Sequence, residues 1–265
     1  MKDVSIKNKQ PILTIITVVY NGVNEIESTI KSVLLQKNDN IEYVIIDGNS
    51  NDGTVDIIKK YSDRIDYFLS ESDSGIYNAM NKGVKHSNGI FLYWLNAGDR
   101  MVSVPNLNTD YDCILTNVFI KFPKENVSKV FISRAFKSLD CSNIIESKYH
   151  HQGFFIKNNI FESILFNEAV GIRADTLAMY QSMKKSGSIK YIDKYFTSFE
   201  LLGASDQDNF KKFKSLISIL KVENCLTVKF IFKNLPEFSK NIFKIFLPSK
   251  IKHILKKIKW KLEGL

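Results

Sequence analysis

Clusters of aspartate, asparagine and glycine recur in the first hundred residues, and each comes directly after a short apolar run. The clusters are Tyr20-Asn21-Gly22, Asp47 to Gly53, Glu71 to Gly75 and Asn96 to Asp99. Carboxylate and amide oxygens bind divalent cations and accept hydrogen bonds from polar ligands. The same residue types also form turns, so one cluster alone indicates only a turn. Four clusters at one edge of a fold would indicate a binding site.

The apolar runs predict strands that alternate with helices. Predicted strands are Ile12–Val19, Tyr43–Ile46, Tyr67–Leu69 and Phe91–Leu95, and predicted helices include Thr54–Tyr61, Ile76–Lys85 and one capped by Asn24 with Glu27 as a capping box. This alternation is typical of a parallel sheet with helices on both faces. The carboxyl ends of parallel strands share one edge, where such sheets bind their ligands. The sequence therefore predicts an α/β fold with a polar ligand site at that edge.

Neither GxGxxG nor GxxxxGK[ST] follows the first predicted strand, so dinucleotide and P-loop binding are disfavoured. A diphosphate bound without a glycine-rich loop needs another counter-charge, and a divalent cation held by a carboxylate would supply it.

The three cysteines Cys113, Cys141 and Cys225 are odd in number, widely spaced and free of CxxC pairs. This spacing argues against a disulfide framework and a zinc site, and it predicts a reducing, cytoplasmic setting. No run of eighteen apolar residues predicts a membrane-spanning helix.

The net charge of +9 is concentrated at the C-terminus, where residues 206–265 carry 14 lysines against 5 acidic residues. A neutral body with a basic tail argues against a nucleic-acid enzyme. We therefore predict a catalytic domain over 1–205 and a basic helical extension over 206–265. Lysines surround one helical face of this extension, and that face carries its apolar residues: Ile251, Ile254, Leu255, Ile258 and Leu262. This pattern predicts peripheral binding to an anionic membrane surface, the inner face of the cytoplasmic membrane; packing on the catalytic domain is the alternative.

Several motifs resemble the family 2 glycosyltransferases, in particular the group that assembles bacterial surface polysaccharides, such as the colanic-acid type. They are TIITVVYNG, EYVIIDGNSNDGTVDII, SESDSGIYNAMNKGV and GIFLYWLNAGD, followed by HQGFF, RADTLAMY and TSFELLGAS, within residues 12–205. The resemblance implies the GT-A fold, a Rossmann-like, mostly parallel sheet flanked by helices. It also implies a nucleotide-diphospho-sugar donor (a UDP-sugar by family habit), Mn²⁺ or Mg²⁺, inversion at the anomeric carbon and a glycan acceptor, commonly lipid-linked.

The resemblance also implies residue roles on the donor side. Asp47 would read the nucleobase, flanked by Tyr20 and Asn21, and Asp73 would line the donor site. Asn96, or the backbone of Ala97 and Gly98, would lie along the ribose. Asp99 would hold the metal, although the family's motif often has two or three acids and Asp99 could instead cap the following segment.

On the acceptor side, His151 and Gln152 match the family's HQ pair, near the diphosphate or the acceptor. A satisfied, half-buried histidine is the alternative for His151. Asp175 matches the acid that serves as general base, with Glu168 and Asp193 as the nearest rivals. An aromatic residue usually follows this acid, whereas here Thr176 does, and Asp175 could be only an N-terminal helix charge.

Taken together, the residues and the resemblance predict a metal-dependent glycosyltransferase of the hexosyl-transferring type. A sugar-phosphate nucleotidyltransferase is an alternative, but its glycine-rich, arginine-containing loop is absent after the first strand. A non-catalytic, membrane-associated scaffold of the same fold is a second alternative, supported by the single acid of the metal motif.

Overall fold

The computed structural model describes residues 10–122, 127–133, 139–146, 149–200 and 209–227, together with single positions between 230 and 239. In chain order its elements are β1 (Leu13–Val19), α1 (Ile26–Leu34), β2 (Ile41–Asp47), α2 (Thr54–Lys59), β3 (Tyr67–Ser70), α3 (Ile76–Lys85), β4 (Phe91–Trp94), β5 (Arg100–Met101), β6 (Cys113–Phe122), β7 (Val127–Phe131), α4 (Ser142–Glu146), β8 (Phe154–Lys157), α5 (Asn158–Phe161), α6 (Ala174–Lys185), β9 (Ile189–Glu200) and α7 (Asn209–Val222). The predicted strands and helices of the first hundred residues are present, with ends shifted by one or two residues.

The strands of the described part form one sheet in the order β3-β2-β1-β4-β8-β6-β9-β5, with β7 beside β6. β1 pairs in parallel with β2 and with β4, and β2 pairs in parallel with β3. The register sets Val19 opposite Asp47 and Asp47 opposite Ser70. The first four strands therefore end at one edge, as the alternating pattern predicts.

The sheet is covered on both faces because its central strands are apolar on both sides. Neighbouring residues of β1 point to opposite faces, so Ile15 joins one buried cluster and Ile16 joins the other. Helix α1 packs on the first face, and α3 and α6 pack on the second. This arrangement confirms the predicted α/β sheet flanked by helices.

Helix α1 begins differently from the prediction. Glu25 is at its N-cap position, and no side chain caps the helix. Glu27 accepts a hydrogen bond from the Tyr61 hydroxyl (2.7 Å) and forms an ion pair with Lys31 (3.1 Å). The predicted capping box of Asn24 and Glu27 is wrong, because tertiary partners hold the glutamate side chain elsewhere.

Helix α7 packs against the helices on the second face of the sheet. Leu216, Ile219 and Leu220 are buried in the same cluster as α6, and Glu223 pairs with Lys184 at 3.1 Å. The first part of the predicted extension is thus continuous with the domain core. The predicted boundary at residues 205–206 and the amphipathic tail, Ile251, Ile254, Leu255, Ile258 and Leu262, lie outside the described residues.

A disulfide joins Cys141 to Cys225, which are 84 residues apart with Cα atoms 6.0 Å from each other. The spacing argued against disulfide bonding, and for this pair that expectation is wrong: folding brings the start of α4 beside the end of α7, a proximity that sequence spacing does not show. Cys113 is buried and free.

None of the helices within the described ranges has the length and apolar character that crossing a bilayer requires.

Candidate active site

The loops that follow β1, β2 and β4 are tied together at the carboxyl edge of the sheet. Asn21 donates its main-chain N–H to the Ser50 hydroxyl (2.8 Å), and its side chain accepts from Asn51 N–H (3.0 Å). Asn21 has a positive φ of 48°, which asparagine tolerates better than most residues. Ala97 N–H donates to Val18 O at 3.3 Å. The predicted convergence of these loops is therefore a feature of the fold.

Asp47 is fully buried, and its carboxylate holds neighbouring loops. It accepts hydrogen bonds from Ser50 N–H (2.9 Å), the Ser50 hydroxyl (2.5 Å) and the Ser70 hydroxyl (2.6 Å). The side chain has no solvent-exposed surface. These contacts fix the loop that carries Ser50, and they direct the carboxylate toward the protein interior.

Tyr20, Gly48 and Asp73 form a slot on the same edge. The Tyr20 side chain is 67% exposed. A Cβ atom built on Gly48 would lie 2.7 Å from Asp73 Oδ2 and 3.3 Å from Tyr20 Cδ2. The missing side chain of Gly48 therefore lets an acid and an exposed aromatic ring meet over the backbone.

Asp99 lies buried at the end of the loop Asn96–Asp99, where Gly98 has a φ of 96°. Asp99 Oδ2 accepts a hydrogen bond from Gln152 Nε2, and its main-chain oxygen accepts from the Thr29 hydroxyl (2.8 Å). Burial raises the pKa of the Asp99 carboxyl to about 7, although the His151 charge and the Gln152 hydrogen bond lower it in part. The charge of a buried carboxyl in this condition is only partly compensated.

Asp175, in the first turn of α6, contacts three partners. Its Oδ1 accepts from Thr176 N–H (2.7 Å) and the Tyr77 hydroxyl (3.3 Å), and its Oδ2 lies 3.2 Å from His151 Nδ1. Burial alone would raise the pKa of Asp175, but the hydrogen bond and charge of His151 outweigh burial and lower it. Asp175 is therefore an ionised acceptor at neutral pH.

His150 and His151 have different surroundings. His150 stacks between His151 (ring centroids 4.7 Å apart) and Phe199 (4.9 Å), and its Nδ1 accepts Gln152 N–H at 3.3 Å. Burial lowers the pKa of His150 to about 3, so it is neutral. Within the described ranges no group of three His, Cys, Asp or Glu side chains could hold a metal.

A cavity of about 380 Å³ opens between α3 and α6, with Gly75, Tyr77, Trp94, Asn96, His151 and Asp175 among its lining residues. The structure thus brings three predicted site residues, Asn96, His151 and Asp175, to one cavity. Tyr20, Asp47 and Asp73 lie outside its lining, along the edge of the sheet. Gln152 links the cavity to Asp99, because it follows His151 in the chain and binds the Asp99 carboxylate.

The rivals of Asp175 are placed differently. Glu168 lines the cavity, but its two oxygens accept from the Ser74 hydroxyl (2.6 Å) and Asn78 Nδ2 (3.1 Å). Asp193 is exposed on β9, accepts from Asn117 Nδ2 (2.9 Å) and does not line the cavity.

Sequence reasoning missed Trp94 and Tyr77 as lining residues. Trp94 and Asn96 are two residues apart along an extended segment, and strand alternation puts both on one face of the sheet. Tyr77 follows Gly75 in the first turn of α3, beside a polar cluster that was already a candidate. Strand and helix periodicity were thus the available signals.

The residues around Asp99 fit a divalent cation. Asn96 Oδ1, Gln152 Oε1 and His151 Nε2 are buried, and none of the three has a hydrogen-bond partner in the described structure. Carboxylate and amide oxygens suit Mg²⁺, and Mn²⁺ also accepts imidazole nitrogen. A cation beside Asp99 would complete the compensation of its buried carboxylate charge.

Comparison with known proteins adds independent findings. Residues 14–101 match the model of Glycosyl transferase family 2. TuaG of Bacillus subtilis, provisionally assigned as a teichuronic acid biosynthesis glycosyltransferase, is 35% identical over 96 residues, which cover 35% of this chain and 38% of TuaG. An uncharacterized glycosyltransferase of Mycobacterium tuberculosis is 36% identical over 91 residues, covering 34% of this chain and 35% of the relative. The match thus spans about a third of these relatives.

Solved structures share the fold over more of the chain. Residues 1–349 of TarS from Staphylococcus aureus, in complex with UDP-GlcNAc, superpose with a TM-score of 0.64 at 13% identity, covering 91% of this chain and 77% of that fragment. The mannosyltransferase PcManGT of Pyrobaculum calidifontis, with GDP-Man and Mn²⁺, has a TM-score of 0.58 at 14% identity, covering 95% and 80%. Such likeness establishes the GT-A fold. Together with the family match over residues 14–101 and the curated relatives, it supports a family 2 glycosyltransferase.

Proposed function

We propose that the protein transfers a sugar from a nucleotide-diphospho-sugar to a hydroxyl of a glycan acceptor during surface polysaccharide synthesis. The observation that carries this proposal is the cavity between α3 and α6, at the carboxyl edge of the sheet. It brings the Asn96–Asp99 loop, through Asn96, to the His151–Asp175 pair. A nucleotide along the edge would present its sugar to that cavity. Support also comes from the provisional role of TuaG in teichuronic acid biosynthesis and from the UDP-GlcNAc bound by TarS.

On the donor side, the nucleotide would lie along the slot of Tyr20 and Asp73 and pass the loop Asn96-Ala97-Gly98. Asp47 would act indirectly, because the hydrogen bonds that it accepts from Ser50 hold this edge in place. Asp99, with the amide oxygens of Asn96 and Gln152, would hold Mn²⁺ or Mg²⁺. Such a cation, when bound, neutralises negative charge on the diphosphate leaving group.

On the acceptor side, Asp175 would take the proton of the attacking hydroxyl. The hydroxyl oxygen forms a bond to the anomeric carbon while the bond from that carbon to the diphosphate oxygen breaks, and the nucleoside diphosphate leaves with the electron pair. One such in-line displacement inverts the anomeric centre. Asp175 suits the role because it is ionised, and because its Oδ2, shared with His151, keeps a lone pair for the acceptor.

The C-terminal lysines support a proposal about where the acceptor lies. We propose that residues 206–265, with their excess of basic residues, bring the enzyme to the anionic inner face of the cytoplasmic membrane, where a lipid-linked acceptor would lie. Co-sedimentation of the full chain with anionic and with neutral vesicles at low salt tests this. Equal binding to both vesicle types would refute the electrostatic anchor.

The decisive test of the activity is to incubate the purified protein with a panel of nucleotide-sugars, a glycan acceptor extract and Mn²⁺. We expect nucleoside diphosphate release together with a lengthened glycan. Release of pyrophosphate from a nucleoside triphosphate and a sugar phosphate would instead indicate a nucleotidyltransferase. No turnover with any donor would favour a non-catalytic scaffold. Asp175→Asn is the inactive comparison, and Asp193→Asn, outside the cavity, is its matched control.

A further inference from the structure

The acids at the edge of the sheet differ in how many hydrogen bonds their carboxylates already accept. Both oxygens of Asp47 are engaged by Ser50 and Ser70. Both oxygens of Asp52 are engaged by Val23 N–H (3.0 Å), Thr54 N–H (3.0 Å) and the Thr54 hydroxyl. These two acids therefore connect loops and have little capacity left for a ligand.

Asp73 is different. Its Oδ1 accepts Gly75 N–H at 2.8 Å, which fixes the orientation of the carboxylate. Its Oδ2 accepts no hydrogen bond from any residue in the described part of the chain, and it lies over Gly48, where a Cβ would approach to 2.7 Å. A partly exposed carboxylate oxygen is thus held in a fixed position with its acceptor capacity unused.

The exposed ring of Tyr20 borders the same glycine, 3.3 Å from the position of that missing Cβ. Aromatic rings bind nucleobases by stacking, and this contact is tolerant of the base. Discrimination between bases must then come from hydrogen bonds to the edge of the ring. A carboxylate oxygen can only accept, so it pairs with a ring N–H and repels a ring nitrogen that carries a lone pair.

We propose that Asp73, and not Asp47, selects the nucleobase of the donor. This inference rests on the proposed function. Asp73 Oδ2 accepts a hydrogen bond from the ring N–H of uracil (N3) or guanine (N1), while Tyr20 stacks on the base. Cytosine N3 and adenine N1 carry lone pairs at the corresponding positions, so the same oxygen rejects them. The donor base is therefore one that carries a ring N–H at this position, which is uracil, thymine or guanine.

Calorimetric titration of the full-length protein with UDP, GDP, CDP and ADP, in the presence of Mn²⁺, tests the proposal. We expect UDP or GDP to bind about tenfold to a hundredfold more tightly than CDP or ADP, the usual effect of one hydrogen bond to a charged group. In Asp73→Asn the amide oxygen keeps the Gly75 contact and the amide nitrogen replaces Oδ2. A hydrogen-bond donor then faces the base, and the preference for UDP or GDP over CDP should shrink or reverse.

Glu71→Gln is the matched control, because Glu71 belongs to the same loop but pairs with Lys82 at 2.8 Å. This variant should keep the wild-type preference. Gly48→Ala is a second probe: its methyl group would displace the Asp73 carboxylate, so UDP or GDP binding should weaken with the melting temperature preserved.

Two results would overturn the assignment of Asp73 and leave the proposed function standing. One is wild-type protein that binds UDP, GDP, CDP and ADP equally well. The other is an Asp73→Asn variant that keeps the wild-type preference. If no nucleoside diphosphate binds the wild-type protein with or without Mn²⁺, the proposed function fails, and this inference fails with it.

Discussion

Replacing Asp175 by asparagine tests the proposed mechanism most directly, because it removes one charge with almost no change of shape. The amide oxygen can still accept hydrogen bonds from Thr176 N–H and the Tyr77 hydroxyl, which lie 2.7 and 3.3 Å from Asp175 Oδ1 in the wild-type protein. The amide nitrogen then faces His151 Nδ1, 3.2 Å from the present Oδ2. The structural loss is therefore one hydrogen bond to a charged group, about 1.5–3 kcal/mol of unfolding free energy.

The catalytic loss should be larger than the structural one. A positioned general base contributes about 10²–10⁴-fold to the rate, which corresponds to about 2.7–5.5 kcal/mol of activation free energy. The proposed nucleotide and metal contacts lie elsewhere, at Tyr20, Asp73 and Asp99, so donor affinity should stay near the wild-type value. The expected signature is a large fall in kcat with an unchanged dissociation constant for the donor.

The assay measures sugar transfer to a true acceptor well below the melting temperature of the variant, so that both proteins are folded throughout. Donor affinity is measured separately by calorimetry, and thermal unfolding gives the stability change. Asp193→Asn serves as the control, since that acid lies outside the cavity. A fall in kcat of less than about tenfold, far short of a general base's usual contribution, would refute the assignment. So would a donor affinity that weakens in proportion to the rate.

Three further substitutions test other parts of the reasoning. Asp99→Asn should abolish Mn²⁺-dependent turnover without lowering the melting temperature, because it removes a buried charge that its neighbours only partly compensate; turnover with wild-type Mn²⁺ dependence would contradict the metal assignment. Asp47→Ala should lower the unfolding free energy by about 1–3 kcal/mol, since it leaves Ser50 N–H without its acceptor; weaker nucleotide binding at unchanged stability would instead indicate a direct contact with the base. Leu220→Ala should lower the unfolding free energy, measured in urea, by about 2–5 kcal/mol because Leu220 is fully buried. The control Val222→Ala, at an exposed position, should lower it little. Equally small losses in both variants would argue against packing of α7 on the rest of the fold.

The sequence determined the sheet and the position of the site within it. β-branched runs such as Ile12–Val19 form strands because their side chains suit a pleated, buried surface. The aspartate, asparagine and glycine clusters mark the strand ends because these residues adopt turn conformations. Both effects are local, acting over a few residues, and therefore appear in the sequence as pattern and spacing. The alternation of strands and helices then places the clusters at one edge.

The tertiary structure alone decided which of the polar residues are free to bind. Asp47 and Asp73 look equivalent in the sequence, but Ser70 from the neighbouring strand helps to engage the first, whereas the second keeps a free oxygen over Gly48. The link from Asp99 to Gln152 spans 53 residues, and the disulfide spans 84. The hydrogen-bonding capacity left on a side chain depends on partners that only folding brings near, and no local pattern encodes those partners.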